Sequence, residues 1–267
     1  MSLPNHIQDE IELDDLLSTP SERAIEVLAG LEGDILFLGV AGKMGPTLAR
    51  MAKRASDAAG TSRRIIGVSR FSSGDTEQRL QAWGIETMRC DLLDPEALNR
   101  LPEAPNVVHM AAMKFGTEGN QAATWAMNCF LPGLVCQRFR HSRIAAFSTG
   151  NVYPLVPVDS GGSREEDALA PVGEYAMTAT GRERIFEYFS RELGIPVALI
   201  RLNYACELRY GVLVDLAQRV WNKEPVPLAM GYLNTLWQGD ANAMSLCAFA
   251  DTATPPGVLN LTGPETL

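Results

Sequence analysis

Seven residues near the start of the chain, Gly39-Val-Ala-Gly42-Lys43-Met44-Gly45, set glycines at every third position around a single cation. They follow directly on the apolar run Asp34-Ile-Leu-Phe-Leu38 and lead directly into Pro46-Thr-Leu-Ala-Arg-Met-Ala-Lys53, a helical pattern opened by proline. Strand, glycine turn and helix in that order make a phosphate site. Glycines let the backbone come close to a pyrophosphate, whose charge then rests on the amides at the helix N-terminus. The other residue types that do chemistry are dispersed. Cys90, Cys129, Cys136, Cys206 and Cys247 are an odd, scattered set with no C-x-x-C pair, which points away from a disulfide framework and from zinc and toward the reducing cytoplasm. His6, His109 and His141 are far apart, so no histidine metal centre is expected.

The elements that must position the loop alternate along the chain. β-rich runs at 35–38, 64–68, 86–90, 106–109, 144–148 and 197–201 are separated by helical patterns at 46–59, 76–83, 95–100, 120–139 and 175–193. Such alternation predicts an α/β fold, a Rossmann-type parallel sheet doubly wound by helices. Residues 1–33 form a helical preamble, either a lid or dimer arm or a helix packed on the sheet edge. Residues 34–201 are mainly the dinucleotide-binding domain, and 202–267 mainly a small substrate-binding region with helices at 211–220 and 241–249. The stretch 153–173, rich in Pro, Gly, Ser and acidic residues, reads as a loop over the site.

With 267 residues and 46% hydrophobic composition, the chain is long enough to bury a full core. A net charge of −9 argues against a nucleic-acid surface. No signal peptide or membrane span is expected, because the N-terminus is acidic and no apolar run is long enough. The expected partner is a small-molecule substrate.

Several segments assemble in order into a known series. After the glycine loop come Cys90-Asp91-Leu92, Val107-Val-His-Met-Ala-Ala112, Asn128, Phe147-Ser-Thr-Gly-Asn-Val-Tyr153, Tyr175 and Asn260-Leu-Thr-Gly-Pro264. From about residue 34 to the end, the chain resembles the extended short-chain dehydrogenase/reductase family, also called the NAD-dependent epimerase/dehydratase family. The resemblance implies a nicotinamide dinucleotide held by Gly39, Gly42, Lys43, Met44, Gly45, Ser69, Arg70, Asp91, Leu92, Ala111, Ala112 and Asn128. An acidic residue at the end of the second strand would hold the ribose hydroxyls of NAD and repel a 2′-phosphate. Here Ser69-Arg70, with Lys43, offers a hydroxyl and two cations, so NADP is expected over NAD. Ordinary solvated charges are the alternative for Lys43 and Arg70, and a helix cap shared with Asp94 is the alternative for Asp91.

The resemblance also implies a tyrosine that exchanges a proton with the substrate oxygen, a Ser or Thr that orients that oxygen, and a lysine one helical turn past the tyrosine. Thr149 and Tyr175 take the first two places. The third is Ala179. Without a nearby cation little phenolate exists at neutral pH, so base catalysis loses force. Two cations stand near enough in sequence to be weighed. Arg182 is two turns along the same helix face, a long reach, whereas Lys114, in Ala111-Ala-Met-Lys114, follows the fourth strand at the mouth of the sheet; a solvated loop lysine is the alternative. Asn151, Tyr204 and Arg209 are candidate substrate contacts, with a salt bridge to Glu207 or a neighbour as the alternative for Arg209. His109 is expected to be packed and hydrogen-bonded, Tyr153 to be structural, and Arg201 and Asn203 to anchor backbone beneath the pocket.

The family usually continues past its Asn-x-Thr-Gly-Pro segment, so the substrate region is expected to be incomplete at its C-terminus. Two readings follow: an NADP-dependent oxidoreductase or epimerase/dehydratase acting on a sugar, nucleotide sugar or related hydroxy or carbonyl compound, or a catalytically impaired NAD(P)-binding sensor or scaffold. A homodimer through the long helices is implied by the resemblance.

Overall fold

The computed structural model describes residues 4–72, 74–114, 116 and 118–267. Its centre is a seven-stranded, all-parallel sheet. The strands are β1 (Ile35–Leu38), β2 (Ile65–Ser69), β3 (Glu86–Arg89), β4 (Asn106–His109), β5 (Arg143–Thr149), β6 (Val197–Leu202) and β9 (Gly257–Leu261), and the spatial order is β3-β2-β1-β4-β5-β6-β9. Strands covered on both faces need no polar alternation, and β1 and β4 are buried at every position. The order reverses between β1 and β4, which run in register from Ile35 beside Asn106 to Leu38 beside His109. A crevice at the carboxyl ends of these two strands is where this topology places ligands.

One helical layer contains α1 (Glu10–Leu17), α2 (Glu22–Ala29), α3 (Gly45–Ala58) and α10 (Gln238–Cys247). Asp9 and Ser21 start the first two by accepting from the amides of Glu12 and Ala24. Leu17 and Leu28 are fully buried, each worth about 1.5–3 kcal/mol of transfer free energy. Asn242 of α10 binds the Leu17 carbonyl at 2.9 Å and the Thr47 hydroxyl at 3.0 Å, so the preamble packs against α3 and α10 as part of this layer. The opposite layer contains α5 (Pro95–Asn99), α6 (Gln121–Trp125), which runs through a π-helical turn at Ala126–Phe130 into α7 (Leu131–Arg138), and α8 (Glu174–Leu193). The short α4 (Thr76–Ala82) links β2 to β3.

The last strand of the sheet comes from the segment expected to form the substrate region. β9 is a short edge strand whose first four residues are only half buried, so it carries little hydrophobic signal, and parallel pairing with β6 recruits it. What remains of that region is α9 (Val212–Trp221) and a small parallel pair, β7 (Tyr204–Cys206) with β8 (Thr235–Trp237).

Candidate functional site

The glycine loop joins β1 to α3 under tight packing. Gly39 has φ +92°, and a Cβ there would lie 2.7 Å from the Ala111 backbone; a Cβ on Gly45 would lie 2.0 Å from the Val40 carbonyl oxygen. Gly42 differs, because a Cβ would meet only the Gly39 carbonyl at 3.5 Å and the residue is exposed. Among the described residues no side chain caps the first turn of α3, whose N-cap position is Met44. An open glycine ahead of an uncapped helix start fits an anionic group such as a dinucleotide pyrophosphate.

Around this loop, Ser69 ends β2 half-buried and Arg70 is exposed beside it. Lys43 stands 4.6 Å from the centroid of the Tyr210 ring, a cation–π distance. Asp91 is exposed and accepts from the Leu93 amide at 3.1 Å, while Asp94 separately caps α5; Leu92 is buried. Ala111 is buried against Gly39 and Ala112 is exposed.

Thr149 is the last residue of β5 and is 5% exposed; its hydroxyl accepts from the Asn151 amide at 3.3 Å, starting a short 3-10 turn over Gly150–Val152. Asn151 is exposed. Tyr175, in the first turn of α8, is half-buried. The Lys114 ammonium lies 5.9 Å from the Tyr175 ring centroid and 5.5 Å from that of Tyr204, so the loop after β4, the start of α8 and β7 converge on one cation. Although Lys114 is exposed over the residue as a whole, burial at its charged end, and then the positive charge of Lys43, push its pKa below the ordinary lysine value.

Asn128, on the π-helical turn, is fully buried. Its amide accepts from the Met113 amide at 2.8 Å and donates to the Met113 carbonyl at 3.0 Å and to the Thr178 hydroxyl at 2.9 Å. It therefore clamps the loop beside Lys114 onto α8, and its side-chain bonds are made to protein. Arg209 forms ion pairs with Glu207 at 3.0 Å and with Asp14 of α1 at 3.0 Å. Tyr204 is 43% exposed at the mouth.

His109 departs from expectation in one respect. It is fully buried and meets Phe186 edge-on at 5.3 Å, but neither ring nitrogen has a hydrogen-bond partner among the described residues. A neutral imidazole among apolar strands fills volume better than it finds donors, and burial, then the Arg182 charge, lower its pKa to about 3.

Sequence reasoning missed a buried polar network behind the site. Glu183 of α8 pairs with Arg201 of β6 at 2.8 Å and accepts from the Ser148 hydroxyl. Arg201 also donates to the Tyr153 hydroxyl and to the Glu165 carbonyl, and Tyr153 donates to Asn260 of β9. The 153–173 loop is thereby tied to the sheet. The available signal was a charged pair, Arg182-Glu183, on a helix face that also carries Ala179 and Phe186. Next to the 3-10 turn lies a cleft of about 570 Å³, lined by Gly150, Tyr153, Asn203, Asn260 and Thr262 among others; Thr149 and Tyr175 are outside its lining. Among the described residues no group of His, Cys, Asp and Glu is placed to hold a metal, and no helix is long and apolar enough to cross a membrane.

A family model, that of the NAD dependent epimerase/dehydratase family, matches residues 35–206. No curated protein matches the chain. Solved structures share the fold at low identity. The UDP-glucuronic acid 4-epimerase of Bacillus cereus in complex with NAD is 18% identical, with 88% of this chain and 80% of that one covered and a TM-score of 0.71. The UDP-glucose 4-epimerase of Thermotoga maritima with UDP-glucose is 19% identical, with 88% and 78% covered and a TM-score of 0.73. The dTDP-glucose 4,6-dehydratase DesIV of Streptomyces venezuelae, with NAD and TYD bound, is 18% identical, with 88% and 77% covered and a TM-score of 0.75.

Proposed function

Because the chain belongs to the NAD dependent epimerase/dehydratase family, we propose that it is an NAD(P)-dependent oxidoreductase or epimerase/dehydratase acting on a nucleotide sugar or a related small hydroxy or carbonyl compound. The observation that carries this reading is the convergence of Lys114 on the Tyr175 ring, in the absence of a lysine at Ala179. When bound, the nicotinamide supplies hydride exchange. The chain does the rest. Gly42 and the start of α3 receive the pyrophosphate, and Asp91, Leu92, Ala111 and Ala112 line the path of the dinucleotide. Lys43, Ser69 and Arg70 meet a 2′-phosphate, so the preferred cofactor is NADP. Tyr175 gives or takes a proton at the substrate oxygen, Thr149 orients that oxygen, and Lys114 supplies positive charge beside the phenol. Tyr204 and Asn151 face the substrate.

Calorimetric titration with NADPH and NADH tests the reading, followed by a screen of nucleotide sugars at the nicotinamide absorbance. Tight NADPH binding, weak NADH binding and turnover lost on Lys114→Ala are expected. Absence of binding by either dinucleotide overturns it. The second reading, a sensor or scaffold, is favoured by Ala179 being fully buried where a catalytic cation would stand; NADPH binding with no turnover on any sugar nucleotide would select it. Exposed Trp125, Phe130, Met177 and Tyr188 on the α6 to α8 face support a homodimer through these helices, which light scattering would reveal.

A further inference from the structure

The N-terminal helix α1 is joined to the glycine loop by a closed ring of polar contacts that begins and ends on that helix. Asp14, buried on α1, binds Arg79 Nη2 through Oδ2 at 2.5 Å, and its Oδ1 faces Arg209 Nη1 at 3.0 Å, a meeting of charges rather than an aligned hydrogen bond. Arg209 is also held by Glu207 at 3.0 Å and by Glu10 of α1 at 3.7 Å. The next residue, Tyr210, has its ring 4.6 Å from the Lys43 ammonium of the loop and donates its hydroxyl to Gln238 Oε1 at the start of α10. Gln238 Nε2 donates in turn to the hydroxyl of Thr47, in the first turn of α3, at 3.2 Å. Asn242 Nδ2 donates to the same hydroxyl at 3.0 Å and to the Leu17 carbonyl of α1 at 2.9 Å, which closes the ring. Of these ring members only Thr47 lies within residues 35–206, the part that matches the family model.

The two ends of the loop are fixed by different means. Thr47, Gln238 and Asn242 are each no more than 2% exposed, and the Thr47 hydroxyl, which also donates to the Met44 carbonyl at 3.2 Å, has its one proton and both its lone pairs in use. Such a group cannot turn without losing bonds that water would not replace. The start of α3 is therefore set by α10 and, through Asn242, by α1. Lys43 is exposed, and its charge sits on a flexible four-carbon stem. An aromatic face attracts such a charge, and the Tyr210 ring is held at its hydroxyl by Gln238 and at its chain neighbour by Arg209. A long side chain ordered before the ligand arrives costs less to order when it binds.

We propose that α1 is a working part of the dinucleotide site, with Asp14, acting through Arg209 and Tyr210, as a positioning residue for Lys43. The proposal rests on the reading of the glycine loop as a dinucleotide site. Neither Asp14 nor Tyr210 is required to touch the ligand; their influence passes through Lys43. The dependence is reciprocal, because a dinucleotide that binds less well when α1 is undocked must hold α1 in place by the same factor.

The test is calorimetric titration of the whole protein with NADPH, with Tm recorded for each variant. Tyr210→Leu should raise the Kd about fivefold and Asp14→Asn about threefold, while Tyr210→Phe, which keeps the ring, should stay closer to the native value than Tyr210→Leu. In a Lys43→Gln background Tyr210→Leu and Asp14→Asn should change the Kd no further, since the residue they position is gone. Native Kd values in folded Asp14→Asn and Tyr210→Leu overturn the proposal, and so do losses that persist in full without Lys43, which a purely structural ring would give. A second measurement needs no substitution. Saturating NADPH should slow hydrogen exchange of the α1 amides about threefold and leave those of α9, which has no member in the ring, unchanged. Unchanged exchange at α1 overturns the proposal as well. A native protein that binds neither NADPH nor NADH removes the dinucleotide reading and this inference with it, whereas binding that does not depend on Asp14 or Tyr210 removes this inference alone.

Discussion

Around Gly39 and Gly45 the backbone is so close to its neighbours that a single methyl group would land 2.7 Å and 2.0 Å from main-chain atoms. Around Tyr175 and Ala179 the backbone is ordinary helix, and what is specific comes from side chains of other elements: Lys114 beside the ring and Asn128 holding the loop onto α8. The first region is a shape imposed by steric exclusion, and a chain that keeps it must keep its glycines. The second is a charge arrangement, which can be met from more than one position. On the proposed reading, that difference would let one end of the site keep its glycine pattern while the charge at the other is supplied from a different element.

The comparison breaks first at Tyr175. If side-chain charge at this end serves proton exchange, Tyr175→Phe should lower kcat about a thousandfold, roughly 4 kcal/mol, with the dinucleotide affinity unchanged. Equal losses in affinity would make Tyr175 a binding group and erase the distinction between the two ends. At the glycine end the largest effect is electrostatic. Gly42→Asp places a carboxylate where the pyrophosphate is expected, and the dinucleotide Kd should rise about a hundredfold, some 2.7 kcal/mol, with Tm unchanged because a Cβ has room there. Gly45→Ala should show the reverse, a lowered Tm from the clash with Val40. Both readings come from one calorimeter.

How much could be read in advance follows the same division. The loop Gly39 to Gly45 and the strands on either side are local in sequence, because a turn, a strand and a helix start each write their needs into adjacent residues. The order of six parallel strands and their helices was accordingly legible. β9 was not, since an edge strand with half-buried residues has a weak pattern and owes its place to pairing with β6. Nor was the association of Arg209 with Asp14, which joins residues distant in sequence through the N-terminal helix. The Glu183–Arg201 pair was invisible for a related reason: helical periodicity marks a face but does not say that two charges on different elements will meet on it.

A pH measurement sharpens the contrast at the side-chain end. His109 has its folded pKa depressed to about 3 from an unfolded value near 6.5. Above pH 6.5 neither state binds the proton; below it the unfolded chain does and the folded protein does not, so stability is full at neutral pH and declines as the pH falls toward 3. Between pH 7 and pH 5 the native protein should therefore lose about 2 kcal/mol more than His109→Leu, measured by urea denaturation at each pH. Parallel curves for the two proteins would show that His109 has access to a proton, and its surroundings would then be more open than the packing against Phe186 indicates.

The smallest effect expected lies between the two regions, at Arg70, where an exposed side chain acts without steric constraint. Its charge is worth having only if the ligand carries a 2′-phosphate. In Arg70→Ala the NADPH Kd should rise about tenfold, 1.4 kcal/mol, and the NADH Kd should hardly change. Salt should mimic the substitution, because an exposed ion pair is screened at distances beyond a Debye length, about 8 Å at 0.15 M. If both dinucleotides weaken together, Arg70 contributes to the general field of the crevice, and discrimination rests with Lys43 inside the loop. That outcome would move cofactor choice from an exposed side chain into the glycine turn proposed to receive the pyrophosphate, where the Lys43 cation lies 4.6 Å from the Tyr210 ring.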